Sequence, residues 1–306
     1  MTSSIQRFGK YHLLTHLASG GMADLFLARA ATMDGAERLL VIKRIHASKA
    51  RDSRFVDLFL QEARVAALLE HPNLVQTYDV GRVDGEYFLA MEYLHGLDLH
   101  ELVVACQQEG QDKPPLPVSL AIIHSMLLGL HYAHEKLDFA GEPLKLVHRD
   151  ITPQNVRVTY DGVVKLLDFG LAAAGRPETL VVVGKAPYMS PEQAQGEVLD
   201  RRSDLFSAGI LLYELTVGRR LYRSQGDLEA RRRMINELTV DPSEVVPSYP
   251  KVLREIVMRA LAKAPTDRYV DAAQMARALE AYIDEEGFST AVTPFMMPFR
   301  EELPLV

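Results

Sequence analysis

Through about the first ninety residues, apolar and polar side chains alternate in short runs, at 11–17, 24–30, 39–45, 76–82 and 86–93. That period of two predicts β-strands. One helix interrupts them, because Phe55, Phe59, Ala66 and Leu69 recur at helical spacing. Glu62 falls on the same apolar stripe, and a carboxylate there requires a cationic partner, since an unpaired buried charge is costly. From about residue 97 the period becomes helical, over 98–108, 116–136, 204–217, 227–238, 251–262 and 271–285, with short strands expected around Arg157 and Lys165. Three prolines mark a loop at 111–117, and Asp138-Phe139-Ala140-Gly141-Glu142-Pro143 marks another. The pattern predicts an α+β, bilobal chain: a small antiparallel-sheet lobe with one helix over 1–93, a larger mainly helical lobe over 94–285, and a tail over 286–306. The cleft between two such lobes is the default place for a ligand.

Composition narrows the class. At 306 residues and 48% hydrophobic content the chain buries a large core and exceeds the usual single-domain length. A net charge of −7 argues against a nucleic-acid partner, and the local run Arg231-Arg232-Arg233 reads as a solvated helix face. The single cysteine, Cys106, excludes an internal disulfide; it lies in an apolar stretch and is expected to be buried, which fits a reducing compartment. The first seven residues lack the apolar core of a signal peptide, and the apolar runs fall short of the ~20 residues that span a bilayer. The expectation is a cytoplasmic protein with no membrane segment in this chain; nothing in the sequence indicates an oligomeric state.

The strongest chemical signal is His148-Arg149-Asp150-Ile151-Thr152-Pro153-Gln154-Asn155, followed thirteen positions after Asn155 by Asp168-Phe169-Gly170. This pair of motifs resembles the catalytic loop and metal-binding triplet of protein kinases. The resemblance implies a kinase fold, ATP and Mg²⁺ as cofactors, and a protein substrate carrying Ser or Thr hydroxyls. It also implies roles: Asp150 as the base beside the attacking hydroxyl, and Asn155 and Asp168 as the metal ligands.

Lys43 ends a run, Leu39-Leu40-Val41-Ile42-Lys43, that resembles the family's strand carrying the phosphate-binding lysine. Glu62, nineteen positions on, is the charged residue on the apolar helix stripe, so an ion pair of Lys43 with Glu62 explains both. The segment from Leu17 through Gly20 and Gly21 to Leu25 lies where the phosphate-covering loop belongs, with Ala18 and Ala23 in place of the first and third glycines. By the same resemblance Met91 backs the adenine pocket, and the backbone of Glu92 and Leu94 bonds the base. Downstream, Glu192 and Arg268 match a structural pair, and Asp204 is expected to open a buried central helix.

The runs Tyr188-Met189-Ser190-Pro191-Glu192-Gln193 and His71-Pro72-Asn73-Leu74-Val75 resemble bacterial, eukaryotic-like Ser/Thr kinases, and the resemblance covers about residues 8 to 285. Two departures bear on the Ser/Thr assignment. Thr152 stands where Ser/Thr members commonly carry lysine, and Lys185 where they commonly carry threonine. Two more line the base: Val41 shares a strand face with Lys43, and Arg157 shares one with Asn155. Between Gly170 and Gly184 the one hydroxyl is Thr179, followed by Leu180-Val181-Val182-Val183. Phosphate there, by autophosphorylation, would pair with Arg149; equally, the apolar run packs on the lobe or a partner and needs none.

The main reading is an active ATP-dependent Ser/Thr protein kinase. Its rival from another class is a pseudokinase or scaffold module with weak or absent ATP binding, which Ala18, Ala23, Val41 and Arg157 favour. A small-molecule kinase on the same fold is disfavoured by Ser190-Pro191-Glu192, and no P-loop or dinucleotide motif is present. The apolar tail segment Pro294-Phe295-Met296-Met297-Pro298-Phe299 either docks on the large lobe or binds a partner.

Overall fold

The computed structural model describes residues 6–20, 23–31, 36–46, 52–169, 185–222 and 226–302. The chain divides into two compact units: one runs to His95 and takes back Asp168 and Phe169, and the other holds Gly96 to Leu167 and the described residues from Lys185 to Arg300.

In the first unit β1 (Gln6–Phe8), β2 (Tyr11–Ser19), β3 (Ala23–Ala31), β4 (Glu37–Ile45), β5 (Thr77–Val83) and β6 (Glu86–Glu92) form one antiparallel sheet, ordered β1-β2-β3-β4-β6-β5. Helix α1 (Ser53–Leu68) lies between β4 and β5 in the chain. The period of two sorts β4 onto two faces. Leu40 and Ile42 point into a cluster with Phe8, Tyr11, Leu13, Ala28, Phe88 and Ala90. Val41 faces the other way, into a cluster of Ile45, Phe59, Ala63, Leu89 and Met91 that α1 completes. Lys43, two residues from Val41, therefore shares the α1 side. Edge-on packing of Phe8 and Tyr11 against Phe88, with ring centroids 5.5 and 5.4 Å apart, fills the first cluster.

The second unit begins with β7 (Gly96–Asp98) and α2 (Leu99–Gln108), joined by a capping box in which Asp98 and Glu101 each bond the other's backbone N–H, at 2.8 and 2.9 Å. Then come α3 (Leu116–His134), β8 (Val156–Thr159), β9 (Val164–Leu166), α4 (Pro191–Gln195), α5 (Arg201–Val217), α6 (Asp227–Asn236), α7 (Pro242–Val245), α8 (Lys251–Ala260), α9 (Ala272–Glu285) and α10 (Thr293–Met296). β7, β8 and β9 form a second antiparallel sheet. Gly96 is required there, because a Cβ would stand 2.1 Å from the Val158 carbonyl oxygen. The 19-residue α3 is long and apolar enough by length and composition to cross a membrane. It is instead packed against α5 and α9, with Leu120, Ile122, Ile123, Met126 and Leu127 fully enclosed.

Several elements differ from expectation. Helix α5 starts at Arg201, earlier than Asp204, because Asp200 caps it by accepting from the Arg202 N–H at 2.7 Å. Strands β1 and β7 and helices α4, α7 and α10 carry no sequence period, being three to five residues long. The tail docks on its own unit: Val292 and Met296 are buried, and the Thr293 hydroxyl donates to the Asp161 carbonyl at 2.8 Å, on the turn between β8 and β9.

Candidate active site

In the first unit the Lys43 ammonium bonds Glu62 Oε1 at 2.5 Å and Asp168 Oδ1 at 3.1 Å. The register of β4 turns Lys43 toward α1, and the apolar stripe of α1 turns Glu62 toward the sheet. Glu62 is almost wholly enclosed, and Asp168 is the most open of the three, with 41% of its side chain exposed. Burial by itself pulls the Lys43 ammonium down, but Asp168 and Glu62 together hold it above its ordinary value, so it stays charged. Burial pushes the Glu62 carboxyl up, against the pull of Lys43. Asp168 sits at a φ of 49°, and its neighbour Phe169 is buried and lines a small cavity together with Ala66, Leu69, Leu74 and Met91.

The same unit carries the glycine turn and the segment expected to meet the base. Leu17 is exposed, whereas Leu25 and Val41 pack on the α1-side cluster. The Gly20 N–H donates to the Ala23 carbonyl at 2.9 Å, and the His46 ring bonds the Gly20 carbonyl at 2.9 Å. Gly21 lies outside the described residues, as do Gly170, Thr179 and Gly184. Met91 and Leu94 are buried. The N–H of Glu92 is taken by the Gln76 carbonyl at 2.9 Å, and its carboxylate accepts from the Gln76 N–H at 2.6 Å.

In the second unit the loop from His148 to Asn155 is held at several points. Asp204, 1% exposed, accepts from the His148 and Arg149 N–H groups at 2.8 and 2.9 Å and pairs with His134 Nε2 at 2.8 Å. Burial by itself raises its carboxyl, but His134, His148 and the Arg149 N–H outweigh that and hold it below the usual value. Gln193 donates to the Arg149 carbonyl at 2.7 Å and His148 Nε2 donates to the Leu167 carbonyl at 2.8 Å. These bonds fix Arg149 at a φ of 68°, a conformation an L-residue holds only when its surroundings impose it.

Asp150 then receives the Asn155 side-chain amide on Oδ2 at 2.9 Å and the Lys185 N–H on Oδ1 at 3.3 Å. Both amide protons of Asn155 go to Asp150, one to its carboxylate and one to its carbonyl at 2.8 Å. Its amide oxygen is thereby directed elsewhere. That oxygen, and in the first unit the open carboxylate of Asp168, are each hard ligands of the kind Mg²⁺ takes.

Arg157 is turned onto its own unit. Its guanidinium donates to the Gly96 carbonyl at 2.5 Å and lies 3.6 Å from the Glu101 carboxylate. Sequence reasoning found the charged groups that interrupt apolar patterns, but it read Asp204 only as a helix opener and did not single out His134 or Gln193. The available signal was an aspartate set against the uninterrupted apolar run after it. Glu192 and Arg268, read as a structural pair, are bonded twice, at 2.6 and 2.8 Å.

These features define a class, and the comparisons agree. Residues 11–279 match the protein kinase domain family; the chain belongs to it and groups with its bacterial, eukaryotic-like Ser/Thr members. It is 41% identical over 294 residues to the tyrosine-protein kinase MasK of Myxococcus xanthus, covering 95% of this chain and 45% of MasK. Over 282 residues it is 32% identical to the serine/threonine-protein kinase PrkC of Bacillus subtilis, 91% of this chain and 41% of PrkC. To PknL of Mycobacterium tuberculosis the identity is 36%, over 90% of this chain and 66% of that protein. The chain thus spans less than half the length of the first two relatives. Among solved structures, the PknI kinase domain of Mycobacterium tuberculosis matches with a TM-score of 0.67 at 26% identity, over 91% of this chain and 98% of that one.

Proposed function

We propose that this chain transfers the γ-phosphoryl group of Mg-ATP to Ser or Thr hydroxyls of a protein substrate, itself included. The observation that carries this reading is the Lys43 ammonium held between Glu62 at 2.5 Å and Asp168 at 3.1 Å. No part of folding requires a lysine on that sheet face; a cation gripped by two carboxylates serves to position phosphate. In the step itself, the substrate oxygen bonds the γ-phosphorus while the bond to the β–γ bridging oxygen breaks. That electron pair leaves with ADP, and the hydroxyl proton passes to the Asp150 carboxylate, which Asn155 and the Lys185 N–H orient. Asp168 and Asn155 would hold Mg²⁺, which supplies charge neutralisation at the phosphates. Gly20 and Gly21, with Leu17, Leu25, Val41, Met91, Glu92 and Leu94, would line the nucleotide, and the cytoplasm would supply it.

The pseudokinase rival loses one of its supports, since the Arg157 guanidinium is engaged by Gly96 and Glu101. A second reading, tyrosine as acceptor, draws on the 41% identity to a protein named as a tyrosine kinase. Incubation with γ-labelled Mg-ATP and a basic Ser/Thr protein tests the proposal, with Asp150→Asn alongside. Phosphoserine or phosphothreonine made by the parent only is the expected result. Phosphotyrosine alone favours the second reading, and no label from an Mg-ATP-saturated parent defeats both.

A further inference from the structure

The loop Asp150-Ile151-Thr152-Pro153-Gln154-Asn155 contains no lysine or arginine. Phosphoryl transfer spreads negative charge over the oxygens around the phosphorus, and a cation already in place beside them stabilises the transition state above the ground state. Thr152 gives nothing of that kind: it is 1% exposed, and its Oγ1 is buried without a hydrogen-bond partner.

Lys185 is placed differently. Its N–H donates to Asp150 Oδ1 at 3.3 Å, and its exposed side chain turns along the loop so that Nζ donates to Gln154 Oε1 at 3.1 Å. One residue thus spans the loop from the aspartate to the glutamine. The amide oxygen of Gln154 is a neutral acceptor, and a phosphate oxygen would outcompete it, because its negative charge adds coulombic attraction to the same ammonium.

We infer that Lys185 is a further catalytic residue, whose ammonium leaves Gln154 to meet the γ-phosphoryl oxygens during transfer and supplies the cation that the Asp150 loop lacks. The inference rests on the kinase reading above. Lys185 acts by charge, while Asp150 takes the hydroxyl proton. The threonine at 152 and the lysine at 185 are then one exchange across two touching segments rather than two separate losses.

The test compares kcat and KM for Mg-ATP among the parent, Lys185→Met, and Lys185→Cys before and after alkylation with 2-bromoethylamine, which rebuilds an ammonium of nearly the same reach. Cys106, the one native cysteine, is enclosed and its thiol is pushed by burial up to about 11, so the new thiol reacts first; a single added mass confirms it. All these variants keep the backbone bond to Asp150. The expected result is a fall in kcat of about 10²–10³-fold for Lys185→Met and unalkylated Lys185→Cys, with KM less affected and much of the rate restored by alkylation. A Lys185→Met variant within about threefold of the parent kcat, or an alkylated variant no faster than its precursor, overturns the role of Lys185. In that case an inactive Asp150→Asn leaves the kinase reading standing. A parent that transfers nothing overturns both.

Discussion

Asp204 accepts the backbone N–H groups of His148 and Arg149 at 2.8 and 2.9 Å, and with them it holds Arg149 in the left-handed region. The aspartate on one helix therefore sets the geometry of the residue beside Asp150. Asp204→Asn replaces an oxygen by an amide, which cannot accept, and orphans one buried N–H at about 1–3 kcal/mol. The variant should melt lower and lose transfer activity, with Mg-ATP KM little changed. A variant with parent melting and parent kcat would show that the Arg149 conformation does not depend on this clamp.

Glu62→Gln keeps the shape of the Lys43 contact but removes its charge. Lys43 is then left with Asp168 as its one close carboxylate, whose more exposed side chain holds it less firmly. Transfer should fall about 10²-fold, by analogy with the loss of one preorganised electrostatic group. Steady-state kinetics against Mg-ATP concentration read this directly; an unchanged kcat/KM would remove Glu62 from the site.

Asp168→Asn isolates the metal role. The amide keeps an oxygen toward Lys43, so the free protein should melt close to the parent temperature, while Mg-dependent transfer disappears and the thermal stabilisation given by Mg-ATP over ATP alone is lost. Retained transfer at saturating Mg²⁺ would contradict the assignment.

Lys43 and Glu62 were legible in the sequence because each violates the pattern around it: a charge on a sheet face and a charge on an apolar helix stripe both demand a partner. The strands β2 to β6 were legible for the same reason that their faces are, since alternation fixes which side chains meet α1. Strands β1 and β7 were not, because three residues show no period and are held only by their neighbours. The start of α5 was hidden by Arg201 and Arg202, which carry no apolar signal; the cap at Asp200 decides it. The Asp204 clamp and the Lys185 contact to Gln154 join residues far apart in the chain, and no local pattern encodes such a bond.

The tail contact can be separated from ordinary backbone strain. Gly162 has a φ of 83° and a Cβ there would meet Thr293 Oγ1 at 2.4 Å, whereas Gly141 has a φ of 85° and open space around it. Both substitutions to alanine cost about 1–2 kcal/mol in backbone strain. Only Gly162→Ala should also raise hydrogen exchange across 288–300. Equal exchange in the two variants would mean that the turn does not hold the tail.

Glu192 and Arg268 form an enclosed ion pair, with side chains 5% and 0% exposed. Burial alone would raise the Glu192 carboxyl, but Arg268 and the Ser203 hydroxyl hold it below its ordinary value. A carboxyl lowered in the folded state stabilises above its unfolded value, about 4.3, and the contribution is lost as pH falls through the lower folded value. Glu192→Gln leaves the guanidinium buried without its counter-charge and should cost about 3–5 kcal/mol at pH 7. Urea midpoints for parent and variant should differ by a constant amount from pH 7 to about pH 5 and converge as the pH drops below about 4. A gap that persists undiminished at pH 3 would mean that Glu192 stabilises the fold by packing rather than by charge.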